Sequence, residues 1–172
     1  MLRRLEKKDA PLMLEWMHDC EINCNFQADF AAATMESVLD FIDESFNGDN
    51  RNFAFVDEND EYLGTISLKR ISFKNGNAEY AVVTRKKAQG TGAAMRATQE
   101  ILRYAFEELG LHKVYLNVLE DNVRAQKLYE KCGFVYEGSA VDAVKINGMY
   151  KTLKWYGIIN RLSSFKSEDE LE

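Results

Sequence analysis

Positive charge, cysteine and long apolar runs are all scarce in this chain, and each shortage removes a class of function. Lys and Arg number 22 against 28 Asp and Glu, a formal net charge of −6. No basic face of the kind that nucleic acid requires is therefore expected, and the balance is compatible with a cationic ligand without demanding one. Three cysteines are an odd, sparse set that reads as free thiols rather than a disulfide framework. No run of about 18 apolar residues occurs, so no membrane span is expected. The opening Met1-Leu2-Arg3-Arg4-Leu5-Glu6 is too charged for a secretory signal, which points to the cytoplasm. His18, Cys20 and Cys24 crowd together but match no standard zinc spacing, and no fourth ligand suggests itself, so no metal is expected. Repeats and linkers are missing too. What remains, 172 residues of which 46 % are hydrophobic, suits one domain over 1–162 with a polar, acidic tail over 163–172.

Local patterning supplies the elements in order. Leu2 to Leu5 reads as a short strand, and Asp9 is placed to cap a helix whose first turn holds the only proline, Pro11. Leu12, Leu14, Trp16 and Met17 give that helix its apolar side. Residues 19–33 read as an irregular connection, after which Thr34 caps a second helix with Val38, Leu39, Phe41, Ile42 and Phe46 on one face. Strands follow at Asn52–Val56 and Tyr62–Phe73, the second with Gly64 as a bulge. Asn75-Gly76 is a hairpin turn into a strand over Ala78–Val83. Ala94, Ala97, Ile101, Leu102, Ala105, Phe106 and Leu109 form a 3.6-residue stripe, hence a helix over 93–109 that Gly110 stops. A strand at Lys113–Leu119, a short helix at Asn122–Cys132 and two strands around Asn147-Gly148 complete the chain.

The stretch between the fourth strand and its helix carries the chemistry. Gln89-Gly90-Thr91-Gly92-Ala93-Ala94 is a glycine-bearing loop opening directly into a helix. Glycines let the backbone approach a ligand, and the N–H groups of a first helical turn converge on an anion such as a pyrophosphate. No lysine follows Gly92, against a P-loop, and Met95 stands where a dinucleotide fingerprint needs a third glycine. Gln-x-x-Gly-x-Ala, followed by Asn122, Tyr129 and Gly133-Phe134, resembles instead the acetyl-coenzyme A loop and following helix of the GNAT N-acetyltransferase superfamily. The likeness covers nearly the whole chain. It implies a mixed α/β (α+β) fold, a mostly antiparallel sheet of about seven strands flanked by about four helices. The sheet would splay between the strands of Glu79 and Asn117. It also implies acetyl-coenzyme A as co-substrate, bound by Val82, Val83, Gln89, Gly90, Thr91, Gly92, Ala93, Ala94, Asn117, Asn122 and Tyr129. Arg85, Lys86 and Lys87 either meet its phosphates or form a solvated turn.

Acetyl transfer to an amine by direct attack poses three problems. An alkylammonium of pKa ~10.4 must lose a proton, costing roughly 4.6 kcal/mol at pH 7, and Glu79 is the candidate base. The leaving thiolate needs a proton, for which Tyr129 resembles the family's acid. Asn122, seven residues earlier, lies on the same helical face roughly 10 Å away, and it also reads as a plain N-cap. The developing oxyanion needs a donor, such as a backbone N–H near Val82 or Val83. The resemblance places the acceptor among Trp16, Phe26, Asp29, Phe30 and Tyr150, with a small-molecule amine (a polyamine or amino sugar) expected first and a ribosomal-protein N-terminus second. Leu14-Glu15-Trp16-Met17-His18-Asp19 and Gly148-Met149-Tyr150 resemble the branch of the superfamily that acetylates ribosomal-protein N-termini, polyamines and amino-sugar nucleotides, although Lys151 stands where that branch often has an acid. A non-catalytic acetyl-coenzyme A sensor is the reading of another class. Trp155, Tyr156 and Ile158 serve either a homodimer contact or the core, and periodicity does not separate these.

Overall fold

A computed structural model describes residues 1–23, 26 and 30–160. Seven strands form one sheet: β1 (Leu2–Arg4), β2 (Arg51–Val56), β3 (Tyr62–Ser72), β4 (Asn77–Thr84), β5 (Lys113–Leu119), β6 (Val135–Ile146) and β7 (Met149–Ile159). Their spatial order is β1-β2-β3-β4-β5-β7-β6. Every neighbouring pair is antiparallel except β4 and β5, which run parallel and pair only at Asn77↔Lys113, Ala78↔Val114 and Glu79↔Tyr115. Beyond Glu79 the two strands part. β4 stays paired with β3 as far as Thr84, and β5 stays paired with β7 as far as Leu119. Each outer partner holds its strand, so the sheet opens as a wedge between β4 and β5, as the splay expected from the sequence requires.

Two cores form because side chains alternate along each strand. On one face Ile66, Leu68, Ala78, Tyr80, Val114 and Leu116 pack with Ala97 and Ile101 of α4 (Ala93–Arg103) and Tyr129 of α5 (Val123–Lys131). On the other, Ala54, Val56 and Tyr62 meet Met13 and Trp16 of α1 (Ala10–Met17), Ile22 of the one-turn α2 (Cys20–Asn23), and Val38 and Ile42 of α3 (Met35–Asp43). Thr34 caps α3 as read from sequence, its Oγ1 accepting the Ser37 N–H at 3.2 Å.

Three local expectations need correction. Asp9 starts α1 but gives it no side-chain cap. Its buried carboxylate turns inward to accept the Glu6 N–H at 2.9 Å and both terminal nitrogens of Arg3 at 2.8 Å, because a bidentate pair with a guanidinium outweighs a single bond to a backbone N–H. The connection before α3 contains a helical turn, Cys20–Asn23, and a 3-10 turn, Phe30–Ala32. The helix read over 93–109 is α-helical only to Arg103, and Tyr104–Glu108 widen into a π turn.

Burial of three phenols sets a pH dependence. Tyr62, Tyr80 and Tyr129 all have their ionisation pushed up, in each case chiefly by burial. Below pH ~10 both the folded and unfolded chains keep these protons, so stability is unaffected. Above it the unfolded chain releases protons that the folded one retains, and stability falls by up to about 1.4 kcal/mol per phenol per pH unit. The urea midpoint is expected to drop sharply between pH 9 and pH 11, and Tyr80→Phe to flatten that drop.

Candidate active site

β4 and β5 run parallel, so Val82, Val83, the loop over 89–94, Asn117 and Asn122 lie toward the same end of the sheet. Gly90 and Gly92 adopt φ +80° and +81°, values that favour glycine over any residue with a Cβ. The Thr91 hydroxyl donates to the Ala88 carbonyl at 2.8 Å and lies 3.3 Å from the Ala93 N–H, closing the turn. Among the described residues the N–H groups of Gly90 and Gly92 meet no backbone acceptor. Those of Ala94 and Met95, in the first turn of α4, have no intrahelical one. This loop therefore offers an anion several converging donors.

The three basic residues that precede this loop are each paired with an acid. Arg85 is buried, donating to both oxygens of Glu15 at 2.9 Å, to Glu61 at 3.0 Å and to the Tyr62 carbonyl at 2.9 Å. Lys86 pairs with Glu21 at 2.6 Å and Lys87 with Glu61. All three tie the loop to α1, α2 and the start of β3. Arg96 and Arg124 stand at the loop instead. Arg124 Nη1 donates to Gln89 Oε1 at 2.9 Å, and Arg96 Nη1 lies 3.5 Å from the Thr91 carbonyl. Sequence reasoning missed both. An arginine in the first turn of a helix opposes the macrodipole, and that local conflict was the available signal at Arg96.

Tyr129 of α5 packs beside the wedge, against Tyr80, the first β4 residue beyond the pairing with β5. Its ring meets Tyr80 edge-on at 5.8 Å and Phe134 at 6.0 Å, and burial, with the nearby Cys132 second, keeps the phenol protonated well above neutrality. Behind it runs a directed chain. Thr98 Oγ1 donates to the Ala94 carbonyl at 2.7 Å, so it must accept from the Tyr80 hydroxyl, also 2.7 Å away. Asn122 is the N-cap of α5, its Oδ1 accepting the Ala125 N–H at 3.2 Å.

Glu79 and Asn117 sit on the opposite face from Tyr80 and Tyr129, with Asn117 Nδ2 3.5 Å from Glu79 Oε1. Val82 and Val83 pair with Ile66 and Thr65 of β3 and turn their other edge to the wedge. Asn117 likewise pairs with Trp155 on one side only.

The acceptor candidates divide. Trp16 is buried, its Nε1–H donating to the Tyr62 hydroxyl at 3.0 Å, and its ring packs against Phe30 at 5.1 Å and Phe26 at 6.5 Å. Trp16 thus backs an aromatic layer whose more accessible members are Phe26 and Phe30. Asp29 and Cys24 lie outside the described residues. Tyr150 is exposed near the tip of the β6–β7 hairpin, with the Lys145 ammonium 5.4 Å from its ring centre. Tyr156 belongs to the core, whereas Trp155 and Ile158 are half-buried. His18 Nε2 bonds the Ala33 carbonyl at 2.9 Å, and among the described residues no three His, Cys, Asp or Glu cluster as a metal would need.

Comparison with known proteins agrees with this geometry. Residues 1–135 match the model of the acetyltransferase (GNAT) domain. The chain is 35 % identical over 158 residues to a spermidine N(1)-acetyltransferase of Vibrio cholerae, covering 89 % of this chain and 88 % of the other. It is 34 % identical over 98 residues to a putative ribosomal N-acetyltransferase of Bacillus subtilis, covering 57 % and 54 %. Among solved structures, spermidine N-acetyltransferase from Vibrio cholerae in complex with CoA and spermine superposes with a TM-score of 0.85 at 29 % identity, over 92 % and 94 % of the two chains. A matched domain model over most of the chain, the seven-stranded sheet and the wedge lead to one conclusion: this chain belongs to the GNAT family of acetyltransferases.

Proposed function

We propose that this acetyltransferase moves the acetyl group of acetyl-coenzyme A to a primary amine of a small molecule, a polyamine before an amino sugar, by direct attack in a ternary complex. The observation that carries the reading is the parting of β4 and β5 after Glu79, with a carboxylate on one face and a buried phenol on the other. The donors of Gly90, Gly92, Ala94 and Met95, with Arg96 and Arg124 beside them, suit a pyrophosphate. The open edges of Val82, Val83 and Asn117 suit the extended arm that follows it.

In this scheme Glu79, directly or through a water, takes the proton of the acceptor ammonium. The freed lone pair attacks the thioester carbonyl carbon, a C–N bond forms, and the C–S bond breaks. Tyr129 passes its proton to the departing thiolate and regains one from solvent or from the nascent amide. Phe26 and Phe30 line the acceptor side with Trp16 behind them, Tyr150 approaches from the hairpin, and Asp29 stays an acceptor candidate on the sequence alone. The polyamine choice rests on the similarity to spermidine acetyltransferases. Acetylation of a protein N-terminus is the second reading, favoured by the shorter match to a ribosomal N-acetyltransferase.

Thiol release from acetyl-coenzyme A, measured with spermidine, a simple monoamine, an amino sugar and a short peptide bearing a free N-terminus, tests the scheme. The highest kcat/KM is expected with spermidine. A peptide that outperforms every small amine would transfer the function to the second reading. Tight coenzyme A binding without turnover of any amine would overturn both.

A further inference from the structure

Glu79 has company on its face of the sheet. Its Oε2 accepts Arg70 Nη1 at 2.7 Å, its Oε1 faces Asn117, and its cross-strand partners are Lys69 of β3 and Tyr115 of β5. The Glu79 side chain is 15 % exposed and that of Arg70 77 %, so the acid is seated in the sheet and the guanidinium reaches over it from solvent. Strict alternation would send Lys69 and Arg70 to opposite faces. The pairing of β3 with β4 slips between Lys69 and Ser72, however, and Arg70 takes φ +51°, a left-handed conformation that residues with a Cβ avoid. A bulge re-aims a side chain, and this one turns Arg70 onto Glu79. Asn50 Oδ1 accepts the Arg70 N–H at 3.2 Å and steadies the bulge.

We propose that Arg70 is a specificity-determining residue for the acceptor, holding as the counter-ion of Glu79 the position that a substrate ammonium must take. The inference rests on Glu79 being the group that receives the acceptor. Binding then exchanges one cation for another on the same carboxylate. The exchange is easy, because an exposed ion pair contributes little, and Arg70 has somewhere to go. It borders an open cleft of about 680 Å³ whose other walls include Glu44 and Asp49. Once displaced, the guanidinium remains within a Debye length of the site, ~10 Å at ordinary salt. There it repels a second positive charge on the acceptor. Desolvation, the largest cause, already pulls the Lys69 ammonium below its ordinary range, and Arg70 adds to that pull against the opposing charge of Glu79. Arg70 therefore lowers affinity for cationic amines in general and for polyamines most.

The test compares Arg70→Gln, Arg70→Lys and Glu79→Gln with wild type, using spermidine and a monoamine of similar length. Arg70→Gln is expected to lower the KM for spermidine by roughly two- to fivefold, the range an exposed ion pair supports, and to lower that for the monoamine less. Arg70→Lys, which keeps the competing charge, should stay near wild type. An unchanged or raised spermidine KM in Arg70→Gln, with Glu79→Gln strongly impaired, overturns the inference and leaves the proposed role of Glu79 standing. Wild-type kinetics in Glu79→Gln would remove that role, and the inference with it.

Discussion

Replacing Tyr129 by phenylalanine is expected to lower kcat by roughly 100-fold or more, with the KM for acetyl-coenzyme A and the melting temperature nearly unchanged. The separation follows from what the side chain does in the fold. Its ring is held by Tyr80 and Phe134, contacts that phenylalanine keeps. Among the described residues its hydroxyl has no hydrogen-bond partner, and the side chain meets the rings of Tyr80 and Phe134. The substitution therefore strands no buried partner, the usual source of a large stability loss. Burial pushes the phenol's ionisation upward, which weakens it as an acid toward a thiolate of pKa about 8.5. In return it stays protonated across the whole range in which an amine acceptor is useful, so no alkaline loss of activity traceable to Tyr129 is expected below pH 10. Steady-state thiol release in both proteins checks the prediction, and equal kcat values would dismiss Tyr129 as the acid. A fall in both kcat and melting temperature would mark it as a packing residue.

The parts of this site that were legible in the sequence are those fixed by neighbours a few residues away. The alternation of Val114, Leu116 and Val118 predicts which face of β5 is buried, and all three are. Thr34, just before an apolar stripe, announces the cap of α3. Asn122 and Tyr129 lie on one short helix, so their spacing alone puts them on one side of it. What stayed hidden depends on distant partners. Arg85, Lys86 and Lys87 look locally like a phosphate-binding or solvated run, and nothing nearby reveals that Glu15, Glu21 and Glu61 neutralise them. Asp9 looks like a cap until Arg3 closes on it from β1. Arg70 is the sharpest case. Its approach to Glu79 depends on a slipped register and a left-handed backbone, and neither leaves a glycine or asparagine in the sequence to signal it.

Gly64 shows how one missing side chain supports the wedge, and Gly64→Ala is expected to be the most damaging small substitution in the protein. A Cβ at this position would lie 2.1 Å from the Val83 carbonyl oxygen and 2.5 Å from two ring carbons of Phe55. Gly64 pairs directly with Phe55 on β2 and Thr84 on β4, and Phe55 is 2 % exposed, so its ring lies over the glycine in a packed core. The ring can repack, but the carbonyl belongs to the backbone of β4 and moves only if β3 and β4 separate. Overpacking of this kind costs roughly 3 kcal/mol or more, which for a chain of this length corresponds to roughly 6–12 °C in Tm. The double variant Gly64→Ala/Phe55→Leu should recover only a small part of the loss, because it relieves the ring and leaves the carbonyl. Gly110→Ala provides the contrast: nothing lies within 4 Å of its Cβ, and only the φ of +63° opposes it, for a cost of about 1 kcal/mol. Similar urea midpoints for the two single variants would show that β3 and β4 yield freely. Because Val83 also borders the wedge, the strand that Gly64→Ala displaces is the one proposed to hold the cofactor arm, and the KM for acetyl-coenzyme A should rise in whatever fraction still folds.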